Sequence, residues 1–312
     1  MATGISWCDE TINPIVGCSK ASAGCERCYA EGMARRLTAM GTEGYQNVTT
    51  NGKWNGKTAF VPSALSKAYG WMKPRTIFVG SMGDVFHESV PFEWVDQILR
   101  LAWVKKQHTF ILLTKRAARM NEYFTGLAAA GMHTPTAERL LANPYYSQDN
   151  HGWHMLYLRG GSLPNLVIGV SAENQQAAND RIPALLLTPA AKRFVSLEPM
   201  TGPISFWDIP SPVDGQSFSV LGQNRESDFS SVCSVILGGE SGGKARYLNT
   251  TWVRTTRDEC LAAGVPFMFK QGSGENGNRS PGHWNEKRDG FPVLDDNIHT
   301  ALAWDIRAKK EA

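Results

Sequence analysis

Residues 76–84 have the sequence TIFVGSMGD, an apolar run that is followed at once by small and acidic residues. Short apolar runs bounded by Gly, Ser or Asp are typical of buried β-strands. Runs of this kind predict six strands: Thr76–Gly80, Thr109–Thr114, Leu166–Val170, Arg193–Leu197, Val235–Gly239 and Pro266–Phe269. The shorter run Pro14–Val16 predicts a seventh.

Segments of helical length with apolar periodicity lie between these runs. They predict helices at Tyr29–Met40, Phe92–Lys106, Arg116–Ala129, Asn174–Leu187 and Thr250–Ala263. Alternating strands and helices favour a parallel sheet. The predicted fold class is therefore α/β, a TIM-type (β/α) barrel, partial or complete, with inserted loops. Polar residues follow the predicted strands, and the carboxyl edge of such a sheet is where active sites form.

Four stretches rich in Gly, Asn, Ser, Trp and His interrupt the alternation, and they are residues 41–74, 132–164, 207–234 and 272–312. Long irregular stretches of this composition are typical of surface insertions. We expect a barrel over residues 1–271 that carries the first three stretches as insertions. Residues 272–312 would form a C-terminal extension that packs on the barrel.

The composition is that of a soluble globular protein. Of 312 residues, 42% are hydrophobic and 20% charged, which excludes disordered, collagen-like and coiled-coil classes. The net charge of +3 neither requires nor excludes a polyanionic partner. No run reaches the roughly 18–20 apolar residues of a membrane span, and the first ten residues lack a signal-peptide pattern. We expect a cytoplasmic protein without membrane contact.

Three of the six cysteines, Cys18, Cys25 and Cys28, form a C-x6-C-x2-C pattern. Three thiolates on one loop can hold an iron–sulfur cluster with one iron open to another ligand, whereas a structural zinc site needs a fourth ligand. No histidine stands at zinc-finger spacing from them, so zinc is the alternative here rather than the first hypothesis. We expect the scattered cysteines to be buried thiols, and these are Cys8, Cys233 and Cys260.

A three-cysteine loop followed by a βα barrel resembles the radical S-adenosylmethionine (SAM) enzymes. The sequence is most similar to phage-encoded and bacterial three-cysteine-motif proteins in NPIVGCSKASAGCERCYAE, FVGSMGDVFHESVP, FILLTKRAARM, RFVSLEPMTGP and VILGGESGGKAR. It resembles the spore photoproduct lyase-like group more distantly, in Ser81–Asp84 and Thr114–Lys115. The usual superfamily spacing is C-x3-C-x2-C, and here Arg27 precedes the last cysteine where an aromatic residue is common.

This resemblance implies that Cys18, Cys25 and Cys28 hold a [4Fe-4S] cluster that binds and cleaves SAM. It implies SAM-binding roles for residues at the strand ends and beside the last cysteine: Tyr29, Ser81, Met82, Asp84, Ser171, Glu173, Asn174 and Glu198. Asp84 and Ser171 could instead cap the helices that follow them.

Further strand-end residues are candidates for catalysis. Glu240 lies in GGESGG, where glycines permit close backbone approach to a ligand. Lys270 and Gln271 follow the last predicted strand, and a lysine there can bind a carboxylate or phosphate, although a surface-loop lysine is the alternative. Basic clusters could contact phosphates or lie on solvated helix faces: Arg35–Arg36, Lys105–Lys106, Lys115–Arg116 and Arg119.

The resemblance implies a radical SAM enzyme that abstracts hydrogen from a nucleic-acid base or base adduct. The phage relatives suggest an isomerase of thymidine hypermodification, acting on DNA or a modified nucleotide in the host cytoplasm, with flavodoxin or ferredoxin as electron donor. One alternative is a radical SAM lyase that repairs thymine lesions. The other is a non-catalytic nucleic-acid-binding protein stabilised by zinc or a cluster.

Overall fold

A computed structural model describes residues 5–129, 161–221, 231–242, 244–274, 287–288, 291–295 and 297–303. The chain forms two compact units. Unit 1 comprises Met1–Ser19, Ala30–Ile168 and Thr188–Lys192. Unit 2 comprises Lys20–Tyr29, Gly169–Leu187 and Arg193–Ala312. Most of the predicted insertion at 132–164 and parts of the stretches at 207–234 and 272–312 lie outside the described residues.

The main sheet is parallel and has seven strands. In chain order these strands are β1 (Glu10–Ile12), β6 (Thr76–Val79), β7 (Thr109–Thr114), β8 (Leu166–Ser171), β9 (Lys192–Leu197), β12 (Ser234–Gly238) and β13 (Phe267–Gln271). They lie side by side in this same order, and within the described chain the sheet has edges at β1 and β13, as in a partial barrel. The α/β class and the six longer predicted strands are therefore confirmed.

Six α-helices are present among the described residues: α1 (Tyr29–Ala39), α2 (Pro62–Tyr69), α3 (Phe92–Val104), α4 (Ala117–Ala129), α5 (Gln175–Leu187) and α6 (Thr250–Ala262). Five of them confirm the predicted helices to within a residue or two at each end. The sixth, α2, lies in the predicted insertion at 41–74 and was not expected. None of the helices in the described ranges is long and apolar enough to cross a bilayer.

Burial of apolar side chains explains why these segments adopt their structures. All four residues of β6 are buried, as expected for a strand covered on both faces. In α3 the buried residues Val95, Ile98, Leu99 and Ala102 recur at helical spacing and form one apolar face. Each fully buried Val, Ile or Leu side chain contributes about 1.5–3 kcal/mol to the free energy of unfolding. The strand ends are thus held on a rigid core.

The seventh predicted strand, Pro14–Val16, does not belong to the main sheet. Residues Ile15–Val16 do form a strand, β2, but it pairs antiparallel with β5 (Ala59–Phe60) outside the main sheet. The first place in the sheet belongs to β1, in which Glu10 pairs with Ile77 and Ile12 with Val79. Since β1 contains one apolar residue, Ile12, it carries no hydrophobic run that a sequence pattern could detect.

Short strands occupy the irregular stretches. They are β3 (Thr49–Thr50), β4 (Lys53–Trp54), β10 (Ile209–Pro210), β11 (Ser217–Phe218), β14 (Lys287–Arg288), β15 (Phe291–Leu294) and β16 (Asn297–Ile298). The last three form a small antiparallel sheet in unit 2. The backbone N–H of Phe269 on β13 donates to the carbonyl of His299, so described residues of the C-terminal stretch contact the last strand of the main sheet.

Candidate functional site

The three clustered cysteines occupy the loop between β2 and α1. Cys25 ends a short 3-10 turn, Ala23–Cys25, and Cys28 immediately precedes the first residue of α1. All three thiols are outside disulfides and partly exposed. Within the described ranges, no set of three or more Cys, His, Asp or Glu side chains is arranged as a metal site. The loop therefore carries three thiols without a preformed ligand geometry, and Cys18 Sγ lies 3.3 Å from the Ser19 carbonyl.

Close backbone packing fixes the start of this loop. Gly17 has φ of 96°, a conformation that favours glycine, and its N–H donates to the Met82 carbonyl. A Cβ on Gly17 would clash with the Lys57 carbonyl and the Val48 side chain. A Cβ on Gly83 would lie 2.9 Å from the Ile15 carbonyl. Cys18 thus follows a segment that is pressed against the end of β6.

The residues after β6 are held by Asn13, which the sequence analysis did not single out. Its Oδ1 accepts hydrogen bonds from Ser81 Oγ at 3.1 Å and from the Met82 N–H at 3.0 Å. Ser81 is partly exposed, whereas Met82 is buried. The predicted SAM-contact segment is therefore built as a rigid turn.

Asp84 lies at the centre of a buried hydrogen-bond network. Its Oδ1 accepts from the Phe86 N–H at 3.0 Å and from Thr114 Oγ1 at 2.6 Å. Its Oδ2 accepts from the Lys115 N–H at 3.0 Å and from Arg116 Nη1 at 3.3 Å. Asp84 does not cap α3, which begins eight residues later at Phe92. The carboxylate joins the ends of β6 and β7, and its oxygens are already well supplied with donors.

Arg116 connects this network to the cysteine loop. Its guanidinium donates from Nη2 to Ser19 O and Ser19 Oγ, both at 2.9 Å, and its Nη1 lies 3.5 Å from Cys18 Sγ. Burial alone would lower the pKa of Arg116, but the charges of Asp84, Cys18 and Glu88 more than offset burial and raise it. Of the two alternatives considered for the Lys115–Arg116 pair, the solvated face is wrong for Arg116, which is 8% exposed.

His87 joins the same network and was also missed. Its Nε2 lies 2.8 Å from Ser19 Oγ, and its Nδ1 accepts from the Ser89 N–H at 3.1 Å. Burial and the nearby Arg116 charge lower the pKa of His87, so the neutral imidazole predominates at neutral pH. We call this cluster, formed by Cys18, Ser19, Asp84, His87 and Arg116, the unit 1 network.

In unit 2, the end of β8 carries the predicted residues Ser171, Glu173 and Asn174. Arg181 Nη1 donates to the Ser171 carbonyl at 2.7 Å and to Glu173 Oε2 at 2.9 Å. Asn174 caps α5, because its Oδ1 accepts from the Ala177 N–H at 3.0 Å. The capping role proposed as an alternative for Ser171 therefore belongs to Asn174.

Glu173 is also a packing partner of the cysteine loop within unit 2. A Cβ on Gly24 would lie 3.1 Å from the Glu173 carboxylate, so a larger residue at this position would require Glu173 to shift by a few tenths of an ångström. The Glu173 carbonyl accepts from the Thr201 and Gly202 N–H groups at 2.7 and 3.1 Å. Glu173 is 2% exposed, and its carboxylate is paired with Arg181. This geometry gives Glu173 a bracing position behind the loop.

Glu198 and Lys270 form an ion pair at the ends of β9 and β13. Lys270 Nζ lies 2.6 Å from Glu198 Oε1, and Ser196 Oγ donates to Glu198 Oε2 at 3.1 Å. In the pair, Glu198 is 15% exposed and Lys270 is 21% exposed. Lys270 belongs to β13 itself, so the alternative of a surface-loop lysine is wrong. We call this pair the Glu198–Lys270 pair.

Gln271 closes the glycine-rich turn after β12. Its Nε2 donates to the Gly239 carbonyl at 2.8 Å, and its own carbonyl accepts from the Gly239 N–H at 2.9 Å. A Cβ on Gly238 would lie 3.1 Å from Glu198 Oε1. The glycine therefore lets the backbone of β12 approach the Glu198–Lys270 pair.

Glu240 is bound by an arginine that the sequence analysis missed. Arg246 donates to Glu240 through its backbone N–H at 2.7 Å and through Nε at 3.0 Å. Arg27 Nη1 adds a longer contact at 3.4 Å. Burial would raise the pKa of Glu240, but these hydrogen bonds and charges outweigh it and hold the pKa below its usual value. Glu240 is thus an ionised structural anchor at neutral pH.

The same arginine reaches the cysteine loop of unit 2. Arg246 Nη2 donates to the Ala23 carbonyl at 2.8 Å, and its Nη1 lies 3.4 Å from a Glu26 carboxylate oxygen. Arg27 is 41% exposed and Tyr29 is 58% exposed, so both side chains can meet a ligand from solvent. Residues 23–29 are consequently held by the segment Glu240–Arg246 and by Glu173, while the side chains of Arg27 and Tyr29 remain exposed.

The remaining cysteines differ from one another. Cys260 is fully buried in α6, and burial raises the pKa of its thiol far above the usual range. Cys8 and Cys233 are partly exposed, so the expectation of burial is confirmed for Cys260 and wrong for these two.

Comparison with known families assigns the chain to one family. Residues 2–302 match the family described as "Protein of unknown function (DUF5131)", and the chain belongs to that family. Neither the curated proteins nor the solved structures gave a match.

Proposed function

We propose that this member of the DUF5131 family is a cytoplasmic radical SAM enzyme with a TIM-type (β/α) barrel. Its three-cysteine loop would hold a [4Fe-4S] cluster through Cys18, Cys25 and Cys28. The observation that carries the proposal is the loop itself, with three partly exposed thiols, none of them in a disulfide, in eleven residues directly after β2. The polar strand ends of a parallel sheet support it, because cofactor enzymes of this fold place their sites there.

The donor set fits an iron–sulfur cluster in its chemistry. Three thiolates bind iron, and the guanidinium of Arg116 beside Cys18 favours the thiolate over the thiol. Metal sites commonly form only when the metal arrives, so a loop without a ready ligand geometry is compatible with ligation. The scattered cysteines do not offer such a set, since Cys260 is buried and Cys8 and Cys233 are distant in sequence.

When bound, the cofactors would supply one-electron cleavage of SAM and hydrogen abstraction, with flavodoxin or ferredoxin as the electron donor. The protein's own task would be binding, orientation and exclusion of solvent. Ser81 and the rigid turn after β6 would present hydroxyl and backbone groups to SAM. Asp84 would act through Arg116 and the turn rather than by direct contact, because its oxygens already accept four hydrogen bonds.

The residues of unit 2 suggest how a substrate would be held. Lys270 and Arg27 are partly exposed cations that can bind a phosphate or carboxylate, and Tyr29 offers an exposed ring for stacking on a base. We therefore propose a nucleic-acid base or base adduct as substrate, with isomerisation in phage thymidine hypermodification as the reaction. Glu240 and Gln271 would position the glycine-rich turn beside the substrate, because their hydrogen bonds fix that turn.

The test is anaerobic purification and reconstitution with iron and sulfide, followed by iron analysis and absorption and electron paramagnetic resonance spectra with and without SAM. We expect a brown protein with about four irons, whose reduced signal changes when SAM is added. The Cys25→Ala variant should lose the signal. The Cys233→Ala variant is the matched control, because it removes a partly exposed thiol outside the loop and should keep the signal.

A colourless protein with one equivalent of zinc would refute the proposal and favour the zinc-stabilised binding protein. An intact cluster that does not respond to SAM would refute the radical SAM activity while leaving the ligand set standing. If the cluster does respond to SAM, product analysis with modified thymidine and with thymine lesions separates an isomerase from a repair lyase.

A further inference from the structure

Two segments of unit 1 that are far apart in sequence are both rich in basic and aromatic residues. Residues 67–75 read KAYGWMKPR and residues 100–108 read RLAWVKKQH. Together they contain six Lys or Arg, two Trp and no Asp or Glu. The whole chain has a net charge of only +3, so a surface with this balance is a local concentration of positive charge.

The fold brings the two segments together at the amino ends of β6 and β7. His108 Nε2 lies 3.2 Å from the Trp71 carbonyl, and Gln107 Nε2 donates to the same oxygen at 3.4 Å. The Thr109 N–H donates to the Arg75 carbonyl at 2.9 Å. The two segments therefore form one surface, which we call the basic surface.

Asn165 makes this surface rigid. Its Nδ2 donates to the carbonyls of Ala102 and His108 at 2.9 and 3.0 Å, which ties the end of α3 to the start of β7. A rigid surface loses little conformational entropy when a ligand binds, so its cations can contribute to affinity.

Cations lie over both tryptophan rings of the basic surface. Arg75 and Lys67 lie 5.1 and 5.5 Å from the Trp71 ring centre, and Lys106 Nζ lies 4.2 Å from that of Trp103. Both rings are partly exposed. Alternating cations and aromatic faces are the combination that binds single strands, with lysines on phosphates and bases stacked on rings.

Two carboxylates lie beside these cations: Glu10 pairs with Arg75 at 2.7 Å, and Asp9 Oδ2 accepts from the Thr76 N–H at 2.7 Å. Most of the cations stay uncompensated, because the described residues provide no ion pair for the exposed side chains of Lys67, Lys73 and Lys106 or the partly exposed side chain of Lys105. Fixed positive charge that the protein leaves uncompensated attracts a polyanion.

We propose that the basic surface binds a single-stranded nucleic acid, with Lys73, Lys105 and Lys106 on phosphates and Trp71 stacked on a base. The surface lies at the amino ends of β6 and β7, whereas Asp84 and Arg116 follow their carboxyl ends. Strands of four and six residues separate these edges by roughly 13–20 Å. The surface is therefore distinct from the proposed cofactor site, and its binding does not require the cluster.

The test measures fluorescence anisotropy of a labelled oligonucleotide of about 20 nucleotides, as DNA and as RNA, with the full chain purified without reconstitution. Lys105→Glu/Lys106→Glu should weaken binding at least about tenfold at low salt. The slope of log K against log salt should become shallower by about 1.4, or about 0.7 for each phosphate that is no longer neutralised. Trp71→Ala should weaken binding about fivefold or more and leave that slope unchanged.

The matched control is Lys53→Glu/Lys57→Glu, which makes the same charge change at two exposed lysines outside the basic surface. It should bind almost as the parent does. The proposal is overturned if the parent binds neither the DNA nor the RNA oligonucleotide at about 50 mM salt. It is also overturned if the two double variants weaken binding equally. Binding to anionic lipid vesicles but not to oligonucleotides would also overturn it. These outcomes leave the cluster test untouched, because no metal enters the measurement.

Discussion

Asp84 and Glu198 each follow a strand of the parallel sheet, yet their surroundings differ. Asp84 in unit 1 accepts four hydrogen bonds, and its ion-pair partner Arg116 is buried with it. Glu198 in unit 2 has Lys270 and Ser196 as partners, and both members of the Glu198–Lys270 pair remain partly exposed. A strand-end carboxylate can thus serve either as an internal brace or as an accessible group, and the number of donors around it distinguishes the two.

The comparison predicts that the unit 1 network is the more costly to disrupt. Arg116→Met leaves Asp84 buried without its cationic partner, and breaking a buried pair in this way costs about 3–5 kcal/mol of unfolding free energy. Urea denaturation followed by circular dichroism would measure the loss. Arg36→Met is the control, because it makes the same change at an exposed residue of α1 and should cost no more than about 0.5 kcal/mol.

A loss below about 1 kcal/mol for Arg116→Met would contradict the bracing role of Asp84. Asp84 would then be free enough to contact a ligand directly, as the sequence resemblance implies. The contrast between a bracing Asp84 and an accessible Glu198 would then not hold.

The sequence did not predict which side chains bind Asp84. Apolar runs identify β6 to β9 because burial on both faces requires them, and β1 escapes detection because Ile12 is its one apolar residue. Arg116 looked like half of a basic pair, since nothing in its neighbours indicates that Asp84, thirty-two residues earlier, lies beside it. Strand order decides such contacts, and single-sequence patterns do not encode it.

Local signals, by contrast, predicted position well. The sequence predicts that Glu198, Lys270 and Gln271 directly follow strands, and in the structure Glu198 follows β9 while Lys270 and Gln271 end β13. Their mutual contact depends on β12 lying between β9 and β13 with Gly238 facing Glu198. The glycines of GGESGG indicate that another group can come close to the backbone there. In the structure, the group bound to Glu240 is the side chain of Arg246.

Replacing Glu240 should lower the free energy of unfolding by an intermediate amount that depends on pH. Its lowered pKa means that it contributes stability above the unfolded value near 4.5, and this contribution is lost as the pH falls through the folded pKa. Glu240→Gln should therefore cost about 1–3 kcal/mol at pH 7 and less at pH 3. Denaturation at a series of pH values tests this.

Glu26→Gln is the matched control for that series. Glu26 also contacts Arg246, but its side chain is 59% exposed, so the cost should stay below about 1 kcal/mol at every pH. A pH-independent loss in Glu240→Gln would show that packing, not ionisation, accounts for the role of Glu240.

The Glu198–Lys270 pair should contribute less to the free energy of unfolding than Glu240 does. A double-mutant cycle with Glu198→Gln and Lys270→Met should give a coupling energy of about 1 kcal/mol, since partial exposure lets water compensate each change. Coupling above about 3 kcal/mol would place this pair with the buried pairs and remove the contrast with Asp84.

The smallest effect is expected at Asp295, which pairs with Arg254 at 2.7 Å and with Arg257 at 2.5 Å on the surface of unit 2. Hydrogen bonds from both arginines hold the pKa of this carboxyl well below its usual range. Asp295→Asn keeps a residue that tolerates the positive φ of 50° and removes only the charge. We expect a loss of about 0.2–1 kcal/mol at low salt that shrinks in 1 M salt, where charges more than roughly 3 Å apart are screened. A loss that persists at high salt would mean that hydrogen-bond geometry, rather than charge, stabilises this surface.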